Sequence, residues 1–186
     1  MGILIFLLIL LGLYLFFSKS RNKETPLIFS HWYHLIENLQ QSSQDFYALV
    51  DRAIGQRQLP ETKTSRVDYR EGGILSAKRE YLRVKRKEHI FDICAAPFGR
   101  GFFISWWLGE TPSNSTNFVL KIPFIGPMML RMFKPATYYR LDTALMFQES
   151  VHSAVLEVLD NRTKTQGLRS LTELERKPIL SDLFKR

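Results

Sequence analysis

Three hydrophobic spacings succeed one another along the chain, and each predicts a different element. The first is an unbroken run. From Ile3 to Phe17 every residue is apolar, Gly or Tyr, and Lys19, Arg21 and Lys23 follow closely. This predicts a membrane-spanning helix over residues 1–18. The run is a little short of the roughly 20 residues a helix needs to cross the hydrocarbon core, a shortfall that snorkelling basic side chains offset. A cleaved secretory signal fits less well, because no basic residue precedes the run and no small-x-small site follows it. N-myristoylation fails on Phe6, where Ser or Thr is required. By the positive-inside tendency, the amino terminus lies outside and the remainder is a cytoplasmic domain on a single-pass anchor at the cell membrane.

The second spacing is helical. Between Pro26 and Gln40, residues Ile28, Trp32, Leu35, Ile36 and Leu39 gather on one side at 100° per residue, with His31, His34 and Glu37 opposite. A second helix starts at Ser42, an N-cap with Asp45 three residues on, and carries the stripe Phe46, Leu49, Val50 and Ala53 before Gly55. These two make a juxtamembrane helical pair and linker over residues 19–62.

From residue 63 the spacing changes to two. Val67 to Arg70, Leu75 to Arg86, Ile90 to Ala96 and Phe102 to Leu108 read as strands separated by turn residues. A two-residue turn at Lys87-Glu88 sets Val84 opposite Phe91, Leu82 opposite Ile93 and Glu80 opposite Ala95. On the other face it sets Arg83 opposite Asp92 and Tyr81 opposite Cys94, so apolar meets apolar and charge meets opposite charge. The strand from Phe102 is apolar on both faces, as a covered central strand would be. Phe118 to Ile122 and Thr137 to Leu141 are further strand candidates. Asp142 or Thr143 caps a last strong helix with Phe147, Val151, Ala154, Val155 and Val158 on its stripe, and a looser helix covers Ser170 to Glu175. The fold class expected is α+β: a single N-terminal transmembrane helix, then an antiparallel sheet of four to six strands packed by flanking helices, with the main domain over residues 63–186.

Charge sharpens this picture in one place. The net charge is +8, and the stretch from Lys63 to Glu88 holds nine basic residues against four acidic ones. Arg79, Arg83, Lys85, Arg86 and Lys87 on the hairpin are therefore the candidate membrane- or anion-binding residues, with anionic lipid as the nearest polyanion for an anchored domain. Nucleic acid is not expected, since neither a basic reading helix nor a clear set of stacking aromatics stands out. The proline- and methionine-bearing loop Pro123 to Pro135 supplies the candidate apolar contacts Ile125, Met128, Met129, Met132 and Phe133.

Catalytic chemistry finds no constellation. Cys94, the single cysteine, lacks a base nearby and reads as structural. His31 and His34 with Glu37 make a weak metal pattern that a polar helix face explains more simply, and His152, at the edge of an apolar stripe, reads as a packed, hydrogen-bonded side chain. Gly99-Arg100-Gly101 leads into a strand instead of a helix N-terminus and is a turn, not a phosphate loop. No catalytic residue, metal site or cofactor is assigned. The expected function is a non-catalytic interaction or scaffold domain that binds a protein partner or assembles with itself at the membrane face. The second reading is a lipid or other apolar ligand held by Phe102, Trp106, Phe118 and Met132. An enzyme, built for instance from His152 with Asp142 or Cys94, comes third.

Overall fold

In the computed structural model, residues 27–70, 78–111 and 137–180 are described. The elements are β1 (Leu27–Glu37), α1 (Ser43–Gln56), β2 (Thr62–Arg70), β3 (Lys78–Arg86), β4 (His89–Phe98), β5 (Gly101–Glu110), α2 (Tyr138–Thr165) and β6 (Ile179–Leu180). The strands form one antiparallel sheet in the order β2-β3-β4-β5-β1-β6. Strands β2 to β5 are a meander, each paired with the next. The first strand joins the far side of β5, so α1 carries the chain back across the sheet to β2.

Both helices pack on one face. Trp32 and Ile36 from β1, Leu82 and Val84 from β3, Phe91 and Ile93 from β4, and Phe102, Ile104 and Trp106 from β5 meet Phe46 and Val50 of α1 and Phe147, Val151 and Val155 of α2. Removing this apolar area from water is the main stabilising term. As expected, the Ser42 hydroxyl caps α1 by accepting the Asp45 N–H at 3.1 Å. Arg83 pairs with Asp92, Val84 with Phe91 and Leu82 with Ile93, as the alternation requires. The ladder then opens. The Tyr47 hydroxyl enters the gap, accepting the Ala95 N–H at 2.8 Å and donating to the Glu80 carbonyl at 2.8 Å, so these two strands meet through a helix side chain.

Three elements differ from the sequence reading. The stretch expected as a helix from Pro26 to Gln40 forms β1 instead. A bulge between Ile28 and Ser30 breaks the two-residue alternation, leaving Ile28 opposite Gly109 and Ser30 opposite Leu108. Beyond the bulge the alternation is regular, but both faces carry apolar residues. Trp32 and Ile36 lie in the core and Leu35 on the exposed face, a mixture that mimics helical spacing. Pairing with the whole of β5 decides the outcome, with Trp32 beside Trp106 and Ile36 beside Phe102. Thr137 to Leu141 does not return to the sheet. Thr137 caps α2, its hydroxyl and carbonyl both facing the Arg140 N–H, and the helix starts well before Asp142. Ser170 to Glu175 is not helical, and a turn covers residues 173–176.

The expected membrane architecture is corrected too. Among the described residues no helix is long and apolar enough to cross a membrane. The long helix α2 carries Arg140, Asp142, Glu149, Glu157, Asp160, Arg162 and Lys164, which no hydrocarbon core would accept. Among the described residues the fold is sheet-dominated α+β, a six-stranded antiparallel sheet with two helices, and the expected single-pass architecture with a cytoplasmic domain finds no support in them. The expected span over residues 1–18 lies outside the described residues.

Close approach of β1 to the start of β5 explains one glycine. A Cβ on Gly101 would sit 2.9 Å from the Ile36 carbonyl oxygen and 3.1 Å from Leu35. Gly101→Ala is expected to lower stability by about 1–3 kcal/mol by urea unfolding. Gly55→Ala, where nothing lies within 4 Å, is expected to raise it by about 0.5–1 kcal/mol.

Candidate functional site

The second face of the sheet has no described helix packed on it, and its side chains are polar at the centre and aromatic towards β1. Alternation fixes the rows. Ser65, Arg83, Asp92, Trp107 and His31 run across the strands in one row, and Ser105 and Tyr33 pair in the next.

At the centre Arg83 and Asp92 form a two-pronged pair, Nε donating to Oδ1 and Nη2 to Oδ2, both at 2.7 Å. Tyr69 of β2 donates its hydroxyl to Asp92 Oδ2 at 2.8 Å and accepts from Arg83 Nη2. Burial, then the bond to Asp92, pushes the Tyr69 phenol up to about 12. The Asp92 bond holds the Arg83 guanidinium above its ordinary value. Cys94, fully buried beside Tyr81, Arg79 and Ser105, has its thiol pushed up by that burial. A thiol held neutral is a poor nucleophile, in line with its structural reading.

Towards β1 the face becomes aromatic and exposed. His31 stacks on Trp107 at 4.8 Å between ring centres and 16° between planes, and Tyr33 lies parallel to His31 at 6.4 Å. Tyr33 is 58 % exposed, Leu35 44 %, Trp107 40 % and Phe98, at the end of β4, 71 %. Towards β2 the face turns basic. Lys63 and Lys85 are direct cross-strand partners, both exposed, and neither has an ion-pair partner among the described residues. Like charges directly opposite are unfavourable.

The five basic hairpin residues do not all share one face: Arg79, Arg83 and Lys85 alternate onto the second face and Arg86 does not. Arg83 is committed to Asp92 and Tyr69, exposed Arg79 lies beside Tyr81 and Cys94, and Lys87, in the turn, pairs with Glu61 at 3.0 Å. Arg86 donates to the Pro60 carbonyl at 3.2 Å. Lys85 remains available, and Lys63, which lay outside the expected set, joins it. The apolar candidates Ile125, Met128, Met129, Met132 and Phe133 lie outside the described residues.

His31 and His34, and Cys94 and His152, are not brought together by the fold. His31 faces the aromatic row, whereas His34 lies 3.8 Å from Glu175 on the opposite side of β1, so the two share no face. No group of three metal-ligating side chains occurs among the described residues. Cys94 and His152 sit on opposite faces of the sheet. Phe102 and Trp106, half of the expected apolar ligand pocket, are fully buried in the helix-covered core. No protein-family model, curated protein or solved structure matches the chain.

Sequence reasoning missed one constellation on the helix-covered face. Trp106 Nε1 donates to His152 Nδ1 at 3.0 Å, and His152 Nε2 lies 2.7 Å from the Arg176 carbonyl oxygen. Trp32 Nε1 donates to the Glu175 carbonyl at 2.7 Å. His152 is the packed, hydrogen-bonded side chain that its place on the helix stripe suggests. Backbone carbonyls as its partners leave no mark in the sequence.

Proposed function

We propose that this chain is a non-catalytic binding domain that takes an acidic protein segment on the second face of its sheet. The observation that carries this reading is the juxtaposition on that face of exposed Tyr33, Leu35 and Trp107 with Lys63 and Lys85, which have no ion-pair partner among the described residues. Exposed aromatic side chains are the usual anchors of protein interfaces, while peripheral charges select and steer the partner. An acidic segment lying across the strands would relieve the Lys63–Lys85 repulsion as its apolar residues covered Trp107 and Tyr33.

Two other occupants fit less well. A second copy brings another chain of net charge +8. A single-stranded nucleic acid needs free ring faces, and His31 and Trp107 already stack on each other.

A photo-crosslinking residue placed at Tyr33, at Trp107 or, as a control on α1, at Arg52 tests the reading in the native cell. The expected result is one protein adduct from the first two positions, joined through a peptide rich in Asp and Glu, and none from the third. Lys63→Glu with Lys85→Glu should reduce its yield about tenfold. Adducts with a second copy or with nucleic acid, insensitivity to charge reversal, or no adduct would each overturn it.

A further inference from the structure

After α2 the chain returns along the helix-covered side as a strap, Leu168 to Leu180, ending in β6 against Ser30 and His31. Leu171 is buried in the core and Leu168 packs against it. The strap folds on itself through Thr172 and Glu175. The Thr172 N–H donates to Glu175 Oε2 at 2.7 Å, and the Glu175 N–H donates to the Thr172 hydroxyl at 3.3 Å. Arg169 clamps Glu175 with two bonds, and Arg176 does the same to Asp160 of α2. Two consecutive carbonyls, those of Glu175 and Arg176, are the points at which buried core rings grip it.

The grip on Arg176 depends on one tautomer. Indole N–H is a donor only, so His152 Nδ1 must accept from Trp106, and the ring hydrogen must sit on Nε2, donating to the Arg176 carbonyl. A proton added to Nδ1 would meet the Trp106 N–H head-on, in a pocket walled by Trp32 and Trp106 at 5.4 and 5.3 Å. The ring then has to leave, and the Arg176 carbonyl loses its donor. We propose that His152 is a proton-operated latch on this strap, whose release at mildly acidic pH lifts Leu168 to Leu180 off the sheet and bares Trp32 and the outer edge of β1.

The charges around the ring set the direction. Burial holds the His152 imidazole below the ordinary histidine value, the Arg176 carbonyl and Glu149 of its own helix pull upward, and the Arg176 charge pulls downward. From β1 and β5 the ring meets only the uncharged Trp32 and Trp106. His34 of β1 works in opposition, because its protonation would draw Glu175 in more tightly. Since the folded ring binds its proton less readily than the unfolded chain does, the neutral arrangement contributes fully above about pH 6.5 and is lost as the pH falls below that. His89 is lowered by burial in the same direction, but it sits beside Phe29 and Phe147, away from the strap.

Hydrogen exchange of the full chain, corrected for intrinsic rates and compared at about pH 7.5 and about pH 5.5, tests the latch. Amides of residues 171–177 are expected to lose about tenfold in protection at the lower pH while β4, β5 and α2 keep theirs. His152→Gln should remove the pH dependence of the strap, and His34→Gln should leave it in place. Trp106→Phe is the second variant should His152→Gln not fold: without the indole N–H, a protonated ring still donates to Arg176, and the strap should stay closed in acid. Protection independent of pH, loss shared equally by strap and sheet, or release persisting in both His152→Gln and Trp106→Phe would each overturn the proposal.

Discussion

Asp92→Ala should unfold the protein at markedly lower urea, with a loss of about 2–4 kcal/mol. The Asp92 side chain is only 7 % exposed and accepts from Arg83 and Tyr69 together. Removing it leaves a guanidinium in a largely dry site without its counter-charge, and leaves the Tyr69 hydroxyl without its acceptor. The Arg83 side chain is 23 % exposed, so water recovers part of the loss, and the value belongs at the lower end for a broken buried pair. Arg83→Met with Asp92→Leu removes both partners and should cost much less than Asp92→Ala, because no uncompensated charge is left. If Asp92→Ala is as stable as the parent, the pair has no structural role.

The second large effect is expected from Tyr47→Phe, about 2–3 kcal/mol for the loss of one oxygen. The phenol bridges the Ala95 N–H and the Glu80 carbonyl where β3 and β4 part, and its burial pushes its ionisation far above the ordinary tyrosine range. Phenylalanine keeps the ring against the core but orphans a backbone donor and an acceptor. Urea unfolding should register the loss. Amide exchange at Ala95 should rise with it, whereas the Leu82–Ile93 and Val84–Phe91 pairs keep their protection. A Tyr47→Phe protein with unchanged stability and unchanged exchange at Ala95 would mean that water replaces the hydroxyl at no cost.

Much of the sheet was legible where one face is apolar and the other charged. The pairing of Leu82, Arg83 and Val84 with Ile93, Asp92 and Phe91 follows from alternation alone, because a one-residue slip would drive Arg83 into the core. The Ser42 cap was legible for an equally local reason, the hydroxyl standing three residues before Asp45. So was the α2 stripe of Phe147, Val151, Ala154, Val155 and Val158, whose helical spacing places all five in the core.

What escaped the sequence reading has physical reasons. Apolar residues on both faces of β1, Trp32 and Ile36 in the core and Leu35 on the exposed side, gave it a helical spacing, so β1 was concealed, and with it the exposure of Tyr33 and Leu35 beside Trp107. Sheet order was hidden because β1 and β5 lie far apart in sequence. Lys63 was passed over because its cross-strand partner, Lys85, is known only once β2 and β3 are paired. The strap was invisible because its grips are carbonyl oxygens, which every residue possesses.

The late closure of the sheet has a consequence for how the polypeptide matures. Strands β2 to β5 can zip together through adjacent hairpins, but β1 leaves the ribosome before them and has no partner until β5 has emerged. Through that interval an aromatic strand waits unpaired, and the completed meander shows a bare β5 flank carrying Phe103 and Trp107. Non-local pairing of this kind is slow and invites association between nascent molecules, so biosynthetic yield should depend more on the docking of this early ribbon than on the hairpins that form ahead of it.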